Sequence, residues 1–109
     1  MEELAQSVDR AADPSRDRDL RLVDRTRQGD LDAFNELVIH YQDHLLAVAT
    51  RLTGDVEAAH DAVQESFIRA YRNLHAFRGD SFRAWLVRIA VNASTSPVRR
   101  VATARRWSW

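Results

Sequence analysis

The sequence contains no cysteine. That excludes disulfides, thiolate nucleophiles and cysteine-ligated metals, and it suits a reducing compartment. Lysine is also missing: all sixteen basic residues are arginine. Arginine suits phosphate forks and stacking on bases, although a GC-rich genome produces the same bias. No run of eighteen apolar residues occurs, so no membrane-spanning helix is predicted. Met1-Glu2-Glu3 has neither a basic n-region nor an apolar h-region, so no secretory signal is visible and a cytoplasmic location is expected. Neither a GxSxG elbow nor a Gly-rich phosphate loop is present, and an enzyme is not expected.

The 109 residues, 45 % of them apolar, are enough for one domain with one modest core. Net charge is zero, but it is unevenly distributed. Residues 1–66 carry seven Arg and fifteen acids, and residues 67–109 carry nine Arg and one acid, Asp80. Such a chain can face a basic partner with one half and an anion, such as a phosphate backbone, with the other.

Glycine occurs only at Gly29, Gly54 and Gly79, each time followed by Asp. Glycine ends a helix by accepting the left-handed conformation, and the following Asp can cap the next one. The glycines therefore read as punctuation between helices. A short first helix is predicted over about Arg18 to Gln28. A second spans Leu31 to Thr53, with Phe34, Leu37, Val38, Tyr41, Leu45, Val48, Ala49 and Leu52 on one face. A third spans Val56 to Leu74, with Val56, Ala59, Val63, Phe67, Ala70 and Leu74 inward. After a loop from His75 to Asp80, a fourth starts near Ser81 and stops before Pro97. The expected architecture is all-α: a compact bundle of three main helices plus a short N-terminal one. Residues 1–17 read as a flexible tail, 18–96 as the helical domain, and 97–109 as a basic, Trp-containing C-terminal tail.

Glu36, His40 and His44 stand at four-residue steps, a spacing that paired helical histidines use for metals. No HExxH or further ligand set accompanies them, so a solvated polar face is the simpler reading, and neither metal nor cofactor is expected. The outward stripe of the third helix is more informative. It runs from Glu57, Asp61, Gln64 and Glu65 to Arg69 and Arg72. Acids near the N-terminus and bases near the C-terminus suit the helix dipole. The same order also suits a junction between a protein-binding patch and a nucleic-acid-binding one. The pattern alone does not separate the two. From Phe67 to Trp85, five aromatics alternate with Arg69, Arg72, Arg78 and Arg83, the composition of single-strand binders. Phe67, Phe82 and Trp85 read as core. Phe77 lies in a polar loop and reads either as a plug for the end of the bundle or as a ligand contact.

Two stretches together, Asp61-Ala62-Val63-Gln64-Glu65-Ser66-Phe67-Ile68-Arg69-Ala70-Tyr71 and Phe77-Arg78-Gly79-Asp80-Ser81-Phe82-Arg83-Ala84-Trp85-Leu86-Val87-Arg88-Ile89-Ala90-Val91-Asn92, resemble region 2 of bacterial sigma-70-type sigma factors. The likeness is greatest to the extracytoplasmic-function group, and it extends from about Leu20 to Asn92. The resemblance implies a domain that docks on the β′ coiled coil of core RNA polymerase. Such a domain recognises and melts the promoter −10 element by capturing a base of the non-template single strand. By motif position, Asp61, Gln64 and Glu65 correspond to polymerase-docking residues. The loop from His75 to Ser81, with Phe77, Arg78 and Ser81, corresponds to the base-capturing loop, with Arg69 near the captured base and Arg72 on the same basic end. Val87, Arg88 and Asn92 correspond to the helix face that meets −10 DNA, and Val87 stands where relatives often carry an aromatic. An anti-sigma factor is a further implied partner.

The sequence departs from the family pattern in two places. Pro97 interrupts the segment after Asn92, and the second helical domain that reads the −35 element, region 4, is not found in these residues. The competing reading is a protein-interaction module, an anti-sigma docking surface or sigma mimic, without DNA binding.

Overall fold

The computed structural model describes residues 14–96. Four α-helices follow one another: α1 (Pro14–Arg27), α2 (Leu31–Thr53), α3 (Val56–Arg72) and α4 (Phe82–Ser94), with one 3-10 turn, Leu74–Ala76, before α4. Among the described residues there is no strand, and the chain is an all-α bundle as its apolar spacing predicts. The expectations for residues 1–13 and for the tail 97–109, including Pro97, lie outside the described residues.

Helix α1 differs from its expected form. It starts at Pro14, inside the segment read as a tail, and at 14 residues it is slightly longer than the 13-residue α4. Proline suits a first helical turn, where its missing N–H would have no partner and its fixed φ is already helical. The buried face of α1 is Asp19, Leu22, Val23 and Thr26, spaced by three and four residues. Two of these four are polar, so hydropathy alone shows only half of the stripe. The Thr26 hydroxyl is satisfied by donating to the Leu22 carbonyl at 2.7 Å.

The Gly–Asp punctuation works as predicted at two junctions. Gly29 has φ +102°, and Asp30 caps α2 by accepting from the Ala33 amide at 3.3 Å. Arg25 donates to the same carboxylate at 2.7 Å, and this hydrogen bond holds Asp30 below the usual carboxylate range. Gly54 ends α2 in the left-handed region, and Asp55 caps α3 by accepting from the Glu57 and Ala58 amides. At the third junction Asp80 does not cap. Ser81 accepts from the Ala84 amide at 3.1 Å, and Asp80 instead pairs with Arg16 at 3.2 Å.

The core is rich in aromatics at one end and in alanines at the other. Phe34, Leu37, Tyr41, Leu45, Phe67, Leu74, Phe77, Phe82 and Leu86 form the larger cluster. Ala49, Ala59, Ala62 and Ala93 form the smaller one. Leu52 and Val56 were expected inward but are 44 % and 58 % exposed. They flank Gly54 beyond that last alanine layer, where no helix among the described residues covers them. No helix among the described residues is long and apolar enough to cross a membrane.

Candidate nucleic-acid interface

Helix α3 carries the acidic candidates on one face. Asp61 and Gln64 are exposed and Glu65 is half-buried. Steps of three and four residues keep them adjacent. Ile68, 48 % exposed, continues this face toward the C-terminus. Glu65 and Arg69 form an i,i+4 ion pair at 2.9 Å, so the acidic and basic halves of the stripe meet within one chain. A solvated pair of this kind contributes little to stability. Arg72, at the end of the helix, is exposed.

The loop after α3 departs from expectation. Phe77 was assigned to the base-contacting loop, but its ring is 3 % exposed. It stands edge-on to Phe82 at 5.9 Å and tilted against Trp85 at 5.2 Å. The 3-10 turn folds the loop back so that Leu74 and Phe77 both enter the core. In this conformation the ring serves as the loop's anchor and offers no face to a base. Burying a phenyl ring offsets the conformational entropy lost in ordering the loop.

The groups left at the surface are polar. Arg78 is exposed and donates through Nη1 to the carbonyls of His75 at 2.8 Å and Phe77 at 3.1 Å. His75 and Tyr71 are exposed, and the edge of the Tyr71 ring meets Phe34 at 5.0 Å. Thr26, Arg27, Tyr71, Leu74, His75 and Arg78 line an open groove of about 540 Å³. Arg27 and Arg78 also line a second groove of about 520 Å³ with Arg21 and Gly79. These grooves supply an aromatic ring, an imidazole and guanidinium groups, a set suited to stacking and to phosphate contacts.

On α4, Arg88 and Asn92 are both exposed and lie four residues apart on one face. Val87 is partly buried and packs against the core, because its position in the helical period turns it inward. The Ser81 hydroxyl caps α4.

Three side chains that matter to this region carried no sequence signal. Arg27 donates through Nη2 to the carbonyls of Leu74 at 2.8 Å and Phe77 at 2.7 Å, and through Nε to Leu74 at 3.2 Å. Arg16 reaches Asp80. Asp19, 2 % exposed, accepts from the Tyr41 hydroxyl and pairs with Arg18 at 3.0 Å. For metals, His40 is exposed and His44 half-buried, and among the described residues no group of three or more His, Asp or Glu converges.

Comparison with known proteins bears on the family and the fold. The family described as Sigma-70 region 2 matches residues 37–104. RNA polymerase sigma-H factor of Pseudomonas aeruginosa is 44 % identical over 93 residues, covering 84 % of this chain and 47 % of the relative. ECF RNA polymerase sigma-E factor of Salmonella typhimurium is 50 % identical over 88 residues, covering 78 % of this chain and 44 % of the relative. The chain thus spans about half the length of the curated relatives it matches. Among solved structures, an engineered region 2 of sigmaE in complex with GTAAAA, determined by NMR, superposes with a TM-score of 0.67. It shares 42 % identity and covers 84 % of this chain and 94 % of its own.

Proposed function

The chain belongs to the sigma-70 region 2 family, in its extracytoplasmic-function group, and from that membership we infer that it acts as the polymerase-docking, −10-reading part of a transcription initiation factor. Asp61, Gln64 and Glu65 take the β′ coiled coil of core RNA polymerase. Arg72, Arg78, Arg88 and Asn92 take the non-template strand of the −10 element. It binds and does not catalyse: its contacts stabilise an opened strand that polymerase then uses.

The observation that carries this reading is the division of one surface into two chemistries. The first three turns of α3 present carboxylates and an amide, while the end of α3, the following loop and the outer face of α4 present guanidiniums, the amides of Asn73 and Asn92 and a single carboxylate, Asp80. The amide of Asn92 is the group suited to reading a base edge. The arginines suit phosphates, which set register. Opening a pair costs a few kcal/mol, and binding the extruded base offsets that cost. With Phe77 buried, the groove that Tyr71, His75 and Arg78 line is the place with the chemistry to hold such a base.

Fluorescence anisotropy with a single-stranded −10-like oligonucleotide and core polymerase, at two salt concentrations, tests the reading. Binding weakens with salt and falls in Arg72→Ala and Arg88→Ala. If both variants bind as the parent does, the strand-binding assignment fails, and polymerase binding without strand binding supports the protein-docking alternative.

A further inference from the structure

The loop between α3 and α4 has little regular structure beyond its 3-10 turn, yet the carbonyls of Leu74, His75 and Phe77 all accept from side chains. One side chain from α1 takes two of them. Arg27 bonds the carbonyls of Leu74 and Phe77, 47 and 50 residues away, at 2.7–3.2 Å. Its guanidinium also stands 5.9 Å from the centre of the Phe77 ring. The fork of one arginine therefore closes both ends of the turn that carries His75 and precedes Arg78. Arg78 bonds the same Phe77 carbonyl at 3.1 Å, so the two guanidiniums share an acceptor.

We propose that Arg27 is the positioning residue of the strand-binding loop: its bidentate grip on the Leu74 and Phe77 carbonyls sets the conformation in which His75 and Arg78 meet nucleic acid. This rests on the strand-binding reading above. The chemistry requires arginine itself. A planar guanidinium with several donors can satisfy two carbonyls at once while lying near a ring, whereas a lysine ammonium is a point charge that cannot reproduce the fork. The Arg16–Asp80 pair makes a second tie between α1 and the same loop. That pair is a single solvent-accessible contact, whereas Arg27 makes three hydrogen bonds to the turn, so Arg27 is the stronger tie.

The test compares Arg27→Lys and Arg27→Met in the full 109-residue chain. It uses amide hydrogen exchange, affinity for GTAAAA single strand across a salt series, and affinity for core polymerase. Positioning predicts that both variants speed exchange at residues 74–80 and leave α2 and the body of α3 protected. Both lose strand affinity about tenfold, with the salt slope unchanged and polymerase affinity retained. Arg27→Lys binding as well as the parent, or a salt slope reduced by about one phosphate contact, would mean that Arg27 touches the strand directly and would overturn the proposal. Unchanged exchange at residues 74–80 would also overturn it. Should the parent chain itself fail to bind the oligonucleotide, the strand-binding reading fails, whereas the exchange data alone still decide whether Arg27 holds the loop.

Discussion

The Tyr41 hydroxyl of α2 donates to the Asp19 carboxylate of α1 inside the core. Tyr41 is 6 % exposed and Asp19 2 %, and Arg18 completes the arrangement by pairing with the same carboxylate at 3.0 Å. A charge this deep is tolerated because it is both paired and hydrogen-bonded. The link fixes α1 against the bundle, and with it the Arg27 that holds the α3–α4 loop.

This link makes stability fall at high pH. Burial, then the hydrogen bond and charge of Asp19, push the Tyr41 phenol from 10.0 up to about 12. The folded state therefore keeps a proton that the unfolded state has released. The stabilisation is fully present below about pH 10 and is lost as pH rises toward 12, by about 2–3 kcal/mol. The chain has no lysine and no cysteine, so neither of those groups adds to the change in that window. Urea unfolding at pH 8, 10 and 11.5 checks it: the parent loses stability across the series, and Tyr41→Phe, lower at the start, loses markedly less.

Polymerase docking is predicted to depend on the charge of α3. Asp61→Arg and Glu65→Arg should each reduce co-purification with core polymerase by at least about tenfold. Asp61 is exposed, so Asp61→Arg should change stability by no more than about 0.5 kcal/mol, whereas Glu65→Arg also breaks the pair with Arg69 and should cost somewhat more. Undiminished co-purification would move the docking surface elsewhere.

Two neighbours on α4 should separate by their chemistry. Arg88→Ala should weaken single-strand binding for any sequence and reduce the salt slope by about 0.7, the value for one phosphate contact on a single strand. Asn92→Ala should leave the slope alone and relax preference at one base, by roughly 1–3 kcal/mol. Competition binding with a set of single-base variants of the oligonucleotide measures both.

Phe77 is predicted to act through folding. Phe77→Ala should cost about 3–5 kcal/mol, as large-to-small changes in a core do. Phe77→Leu, which keeps an apolar plug, should fold and bind the strand within about threefold of the parent. A folded Phe77→Leu protein that loses strand binding tenfold or more would show that the ring leaves the core to meet nucleic acid.

The helices and the exposure of Glu57, Asp61, Gln64 and Arg72 were legible in the sequence, because a period of three to four residues reports which way a helical side chain faces; Arg88 and Asn92 were placed by the family resemblance alone. The caps Asp30 and Asp55 were legible from chemistry next to glycine. Leu52 and Val56 misled because the apolar period runs past the last layer of partner side chains, and a period carries no information on where packing stops. Phe77 stayed open between a plug and a ligand contact for a different reason: a lone aromatic in a polar loop has no period, and its place was decided by Leu74, Phe82 and Trp85 together. Asp19 and Arg27 could not be found at all. One is a polar residue on a buried face, and the other bonds backbone carbonyls, which every sequence has.

The most direct test of the divided surface is an NMR titration of the 109-residue chain with GTAAAA at low and moderate salt. The account predicts shift changes at Arg72, across residues 75–81 and at Arg88 and Asn92, weakening as salt rises, with Asp61, Gln64 and Glu65 undisturbed. Changes centred on Asp61 to Glu65, or none at Arg88 and Asn92 at saturation, would contradict it.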